Sequence, residues 1–253
     1  MRGTCTVARE NGIPITIHLS ESKGDHDYFC SLDHSPSSYA DAVGLLGPST
    51  VLAHAVHVDT AVDIPKFAAT GTHVSHCPSS NSKLASGISP VPELLAAGVN
   101  VTLGADGGAC NNSLDIFQEM KWAAMLQNHT RHEDAASITA ETALEMATIN
   151  GAKALGLDHL IGSLEIGKRA DFVAVDVRKV ALHPCINPVS NIVYAATGRD
   201  VHVVVVDGQV TVEDGKIRTM DEEAIMKMAD EALGGLLQRA GLQDQVRSPW
   251  PLQ

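Results

Sequence analysis

The chain has 253 residues, with 18 Lys and Arg against 30 Asp and Glu, a formal net charge of −12 at pH 7. That balance excludes the basic stripe of a nucleic-acid binder and the polybasic patch that holds a protein on anionic lipid. With 44% hydrophobic and 19% charged residues the chain is globular with a large core, and at roughly 150 residues per domain it accommodates one barrel-sized domain or two smaller ones.

Residues 12–106 repeat a rhythm of β-branched run, polar knot and helical stretch, the βα pattern of a parallel sheet. The first predicted strand, 13–17, ends at His18; a predicted helix, 39–46, stops at Gly47-Pro48. A second strand, 51–53, ends at His54, and a third, 71–75, ends at His76. A helix over 90–97 is closed by Gly98, and the fourth strand, 99–104, leads to Asp106. Each strand thus finishes on a residue able to bind metal or move a proton.

After Asp106 a turn-rich loop, in which Asn111 and Asn112 are expected to bond the backbone, precedes a helix over 114–128. Its stripe of Leu114, Phe117, Met120, Trp122 and Met125 is assigned to the core, and a second helix is predicted over 139–155. Near Leu164 the character changes to a small β module: 170–176, then two strands around an Asp207-Gly208 turn. Asp221 opens a last helix, 222–240, with Ile225, Met228, Ala229, Ala232, Leu233, Leu236 and Leu237 on one face.

No window approaches the 18 or so uninterrupted apolar residues of a membrane span, and the polar start does not read as a signal peptide, so the cytoplasm is the expected location and no membrane partner is expected. The five cysteines, Cys5, Cys30, Cys77, Cys110 and Cys185, form no Cys-x-x-Cys pair, which argues against a disulfide framework or a thiolate zinc site. His26, His34, His129, His132, His159 and His183 are read as surface residues, and His57 as structural. His76 is left between lining a pocket and bracing its loop.

In parallel sheets flanked by helices, ligands gather beyond the carboxyl ends of the strands. His18, His54, His76 and Asp106 stand there, and imidazole with carboxylate suits a catalytic zinc or iron site that keeps one position open for water. Metal-assisted hydrolysis is the chemistry such a set suggests.

Five segments taken in order carry a family resemblance. They are Ile17-His18-Leu19-Ser20-Glu21, Leu52-Ala53-His54-Ala55-Val56-His57, His76-Cys77-Pro78-Ser79-Ser80-Asn81-Ser82-Lys83-Leu84-Ala85-Ser86-Gly87, Leu103-Gly104-Ala105-Asp106-Gly107 and Gly162-Ser163-Leu164-Glu165-Ile166-Gly167-Lys168-Arg169-Ala170-Asp171. Over residues 8–217 the chain resembles the amidohydrolase superfamily, in its cytosine-deaminase-like and chlorohydrolase branch. The resemblance implies an α/β fold: the C-terminal half of a metal-dependent (β/α)8 TIM barrel, strands five to eight, in 1–160, part of a β-sandwich in 161–220, and a C-terminal helix and tail in 221–253.

It also implies roles. His18 and Asp106 resemble metal ligands, and Asp106 would take a proton from the water that the metal acidifies. Glu21 resembles the acid that protonates a ring nitrogen and the leaving amine, and His54 the histidine that orients the attacking oxygen. Ser79 and Asn81 would line the substrate pocket. The implied cofactor is one divalent ion, zinc first and iron as the alternative, and the implied partner is a small heterocyclic substrate of purine, pterin or triazine type.

The chain departs from the pattern in two ways. No His-x-His pair occurs in it, and four predicted strand ends stand where a closed barrel has eight. The expectation is therefore the C-terminal portion of a longer enzyme, with a truncated, catalytically inactive fragment as the alternative reading. Unpaired strand edges in such a portion predict self-association as a homo-oligomer.

Overall fold

The computed structural model describes residues 2–128 and 134–244. In chain order the first part comprises α1 (Arg2–Glu10), β1 (Ile15–Leu19), α2 (Lys23–Cys30), α3 (Pro36–Ala42), β2 (Thr50–His54), α4 (Asp63–Thr70), β3 (His73–His76), α5 (Pro78–Lys83), α6 (Val91–Ala96) and β4 (Val101–Leu103). Strands β1 to β4 form one parallel sheet in sequence order. The register lines up Ile17, Leu52, Val74 and Val101 across it.

That row shows why the sheet has a dry face. Leu52, Val74 and Val101 are fully buried, packed with Ile64, Phe67, Leu94, Met120 and Met146 in one core cluster. At roughly 25 cal/mol per Å² of apolar surface removed from water, this layer is the main term that holds helices onto strands. The other face differs: in β1, Thr16 and His18 are exposed while their neighbours are half-buried, so the alternation of a pleated strand presents His18 away from the helices.

The remainder comprises α7 (Gly108–Asn111), α8 (Ile116–Gln127), α9 (Ala140–Ala147), α10 (Ile149–Ala154), β5 (Phe172–Val175), α11 (Pro188–Tyr194), β6 (Val201–Val206), β7 (Gln209–Glu213), β8 (Lys216–Ile217) and α12 (Glu222–Ala240). Strands β5 to β8 form an antiparallel sheet in sequence order. The predicted turn between β6 and β7 is present, with positive φ at both Asp207 (50°) and Gly208 (79°), the conformation a tight Asp-Gly hairpin requires. Among the described residues, no helix is long and apolar enough to cross a membrane.

Several boundaries differ from expectation. The helix predicted over 39–46 is Pro36–Ala42 instead, because the Ser35 hydroxyl caps it and Pro36 suits its first turn. The predicted helix over 139–155 is two helices, interrupted at Thr148 (φ −126°, ψ −95°). Of the predicted stripe Met120 is buried, but Leu114, which precedes α8, and Trp122 and Met125 within it are exposed, since the core side of the helix runs instead through Glu119, Met120, Ala123 and Ala124. Helices α1, α2, α4, α5, α7 and α11 have no counterpart among the predicted elements; none exceeds nine residues, and α2 and α7 bury none, so no long apolar period marks them. Helix α12 starts at its Asp221 cap as expected, yet none of its residues is buried.

Candidate functional site

His54 is the last residue of β2 and shares the parity of Leu52, so a regular pleat would aim it at the helices. Instead φ is +75° at His54 and +46° at Ala55, a left-handed kink uncommon for residues with a Cβ. The pleat is broken there, and the His54 ring stacks on His18, with centroids 5.1 Å apart and planes at 23°. Asp106, in the turn beyond β4, also has a left-handed backbone (φ +59°). Its Oδ1 lies 3.9 Å from His18 Nε2.

Donor atoms of His18, His54 and Asp106 all lie within 4.8 Å of one another. The three residues come from the ends of three strands and converge on one point. His18 is open to solvent, its side chain 67% exposed, whereas His54 is fully buried.

Each member is oriented by hydrogen bonds. His54 Nδ1 lies 2.8 Å from the Asn81 side-chain oxygen, an acceptor only, so Nδ1 carries a proton, and in the neutral ring Nε2 is the nitrogen that has the lone pair. That Nε2 is buried and without a hydrogen-bond partner, 3.6 Å from Glu21 Oε2. A buried lone pair beside an imidazole and a carboxylate is the donor set a divalent cation takes. The residues present therefore fit a metal ion.

Asp106 is held twice: the Ser80 hydroxyl donates to Oδ2 at 2.5 Å and the Gly107 N–H donates to Oδ1 at 2.7 Å. Burial pushes its carboxyl up, but the Ser80 and Gly107 bonds and the nearby His54 and His18 outweigh this and leave it below the ordinary carboxylate value. Glu21 Oε1 accepts a bond of 3.3 Å from Ser86 Oγ. The Ser79 N–H donates to Glu119 Oε2, while the Ser79 hydroxyl is buried without a partner.

The other candidates fall outside the cluster. His57 Nε2 lies 2.8 Å from the Ser86 carbonyl, which ties it to the 84–89 loop, in line with a structural role. His76 is fully buried with neither nitrogen partnered; burial and the neighbouring His54 pull it down to about 3, so it is neutral. Burial, with the Asp106 charge, pushes the Cys77 thiol up to about 12, which leaves no thiolate nucleophile. His26, expected at the surface, is half-buried, its Nδ1 3.1 Å from the His57 carbonyl. His129 and His132 lie outside the described residues.

Two residues of the site went unnoticed in the sequence. Ser80 sits in the run Ser79-Ser80-Asn81, where nothing local tells which hydroxyl meets Asp106. Glu119 carried no signal either, because the stripe read from the sequence points to another face of the helix and only the structure shows Glu119 on the inward side.

Residues 1–211 match the family model described as the amidohydrolase family. The chain belongs to the amidohydrolase family. Within the family it is 44% identical over 238 residues to the 5'-deoxyadenosine deaminase of Methanothermobacter thermautotrophicus, a match covering 93% of this chain and 55% of that protein. It is 43% identical over 236 residues to the 5-methylthioadenosine/S-adenosylhomocysteine deaminase of Haloarcula marismortui, covering 92% and 54%. This amidohydrolase chain spans about half the length of the curated relatives it matches.

Solved amidohydrolase-like structures agree. An adenosine deaminase from Xanthomonas campestris with bound zinc superposes with a TM-score of 0.87 at 34% identity, covering 91% of this chain and 52% of that one. An atrazine chlorohydrolase from Arthrobacter aurescens complexed with zinc gives 0.82 at 26% identity, covering 90% and 50%.

Proposed function

We propose that His18, His54, Asp106 and Glu21 form part of the active site of a metal-dependent amidohydrolase that deaminates an aromatic N-heterocycle, with adenosine-type nucleosides the first substrates to test. The observation that carries this reading is the convergence of three strand-end donors to within 4.8 Å of one another. In it the four parallel strands correspond to strands five to eight of a (β/α)8 barrel, residues 1–160, followed by a partial β-sandwich in 161–220 and a helix and tail in 221–253. The cytoplasm is the location that suits it.

His18 and Asp106 would hold the cation, zinc first and iron as the alternative. Bound there, the metal supplies Lewis acidity and makes water nucleophilic near neutral pH. Asp106, held below the ordinary carboxylate value, is anionic at neutral pH and able to accept a proton from the attacking water. His54 offers its unprotonated Nε2 to orient that water, and Asn81 acts through His54 by keeping the proton on Nδ1. Glu21 delivers a proton to the ring nitrogen, takes one back from the hydroxyl newly joined to the carbon, and passes that one to the departing amine; the proton accepted by Asp106 then restores Glu21. At the amino-bearing carbon a C–O bond forms, the C–N bond breaks, and ammonia leaves. Ser79 would line the substrate pocket, its buried hydroxyl having no hydrogen-bond partner within the described residues.

Halide displacement from a triazine is the second reading, favoured by the likeness to an atrazine chlorohydrolase. Higher identity to deaminases places it second. Zinc titration of the wild-type chain, His18→Ala and Asp106→Ala, with ammonia release from a panel of adenosine-type nucleosides and chloride release from a chlorotriazine, tests both. Zinc affinity lowered at least about tenfold in each variant is expected; equal affinity in all three overturns the reading.

A further inference from the structure

We propose that Glu119, which touches neither His54 nor Asp106, is the positioning residue that holds these two groups in register; the inference rests on their being the working groups of the site. Glu119 lies on α8 and is fully buried. Its Oε2 accepts the Ser79 N–H at 3.1 Å and its Oε1 accepts the Asn111 side-chain N–H at 2.7 Å. One carboxylate therefore ties two segments that are far apart along the chain.

Both segments end on the site. Ser79 is the second residue of α5, and its N–H is one of the first-turn donors that a helix cannot satisfy internally. The next two residues of that turn are Ser80, which donates to Asp106, and Asn81, which fixes His54. On the other side, Asn111 Oδ1 accepts the N–H groups of Ser113 and Leu114, so Asn111 winds the loop that follows Asp106. Lys83 ties the segments as well, its Nζ donating to the Ala109 carbonyl at 2.6 Å and to the Asn112 side-chain oxygen, but both bonds are exposed to solvent. Glu119 is the buried one, shielded from water that would compete for its bonds.

The carboxylate is matched to this task because both of its oxygens accept. Glutamine has the same shape but a single acceptor oxygen, so Glu119→Gln would set an amide NH2 against the Ser79 N–H or the Asn111 NH2, donor against donor. One arm of the clasp opens while the packing volume is kept.

The test is nitrogen-15 NMR of the His54 ring in the metal-free chain, followed by zinc competition titration. In wild type the Nδ1 proton is expected to be protected from exchange by its bond to Asn81. In Glu119→Gln it is expected to exchange about tenfold faster, while the amides of Leu52 and Val74 keep their protection. A purely structural role would loosen the strand amides as well, and that pattern overturns the proposal. Zinc affinity is expected to fall about tenfold in Glu119→Gln, and by less than the product of the two separate losses when it is added to Ser80→Ala, since the Ser79 arm of the clasp reaches Asp106 through Ser80. Additive losses overturn it.

If Glu119→Gln does not fold, Asn111→Ala opens the clasp from the loop side, and the same faster exchange at His54 is expected. Unchanged exchange in that variant overturns the proposal. A wild-type chain that binds no zinc defeats the functional reading alone, because the ring-proton comparison needs no metal and still decides the role of Glu119.

Discussion

The Asn81 side-chain oxygen sits 2.8 Å from His54 Nδ1, and this contact decides which nitrogen of the imidazole is free. With the proton on Nδ1, the Nε2 lone pair of the neutral ring faces the space shared with Glu21, His18 and Asp106, where a cation would take it up. Asn81→Leu removes the acceptor and leaves a buried N–H unpaired. The expected cost is about 1–3 kcal/mol of stability in urea unfolding, together with ring nitrogen shifts of a mixed tautomer. Wild-type shifts in that variant would show that something else sets the tautomer.

Ser80 supports the carboxylate in the same way. Its hydroxyl is among the causes that hold Asp106 below the ordinary carboxylate value, so Ser80→Ala should move the Asp106 carboxyl upward. Zinc affinity of Ser80→Ala, measured by chelator competition, should drop about 10–100-fold, the usual range for losing a hydrogen-bond partner of a ligating carboxylate.

Buried His76 makes the fold sensitive to acid. Its ring is held down to about 3 from an ordinary value of 6.5. As pH falls below 6.5 the unfolded chain takes up a proton at this residue that the folded chain refuses, so stability declines until about pH 3 and is unaffected above 6.5. The slope from this one group approaches about 1.4 kcal/mol per pH unit. Urea unfolding at pH 7.5 and pH 5 should show a steep loss for wild type and a shallower one for His76→Met; parallel losses would contradict the assignment.

Gly104 sits where β4 turns toward Asp106. A Cβ there would lie 2.6 Å from Ser75 Oγ and 3.1 Å from Cys77 Sγ. Gly104→Ala should therefore destabilise by about 1–3 kcal/mol, the range for overpacking a filled site. A denaturation midpoint equal to wild type would mean that the Ser75 and Cys77 side chains move aside freely.

By itself the sequence determined the parallel βα rhythm, the Asp207-Gly208 hairpin, the Asp221 cap and the placement of His18, His54 and Asp106 at strand ends. Each of these is a local matter, since β-branching, capping and turn conformation act over a few residues. Tertiary structure alone decided that His54 leaves the pleat to face His18, that Asn81 holds His54 across 27 positions, and that Glu119 reaches Ser79 across 40. It also decided which face of α8 is dry. Those contacts depend on where whole helices settle on the sheet, and the free energy that seats them comes from the pooled apolar row of Leu52, Val74 and Val101, which no single segment carries.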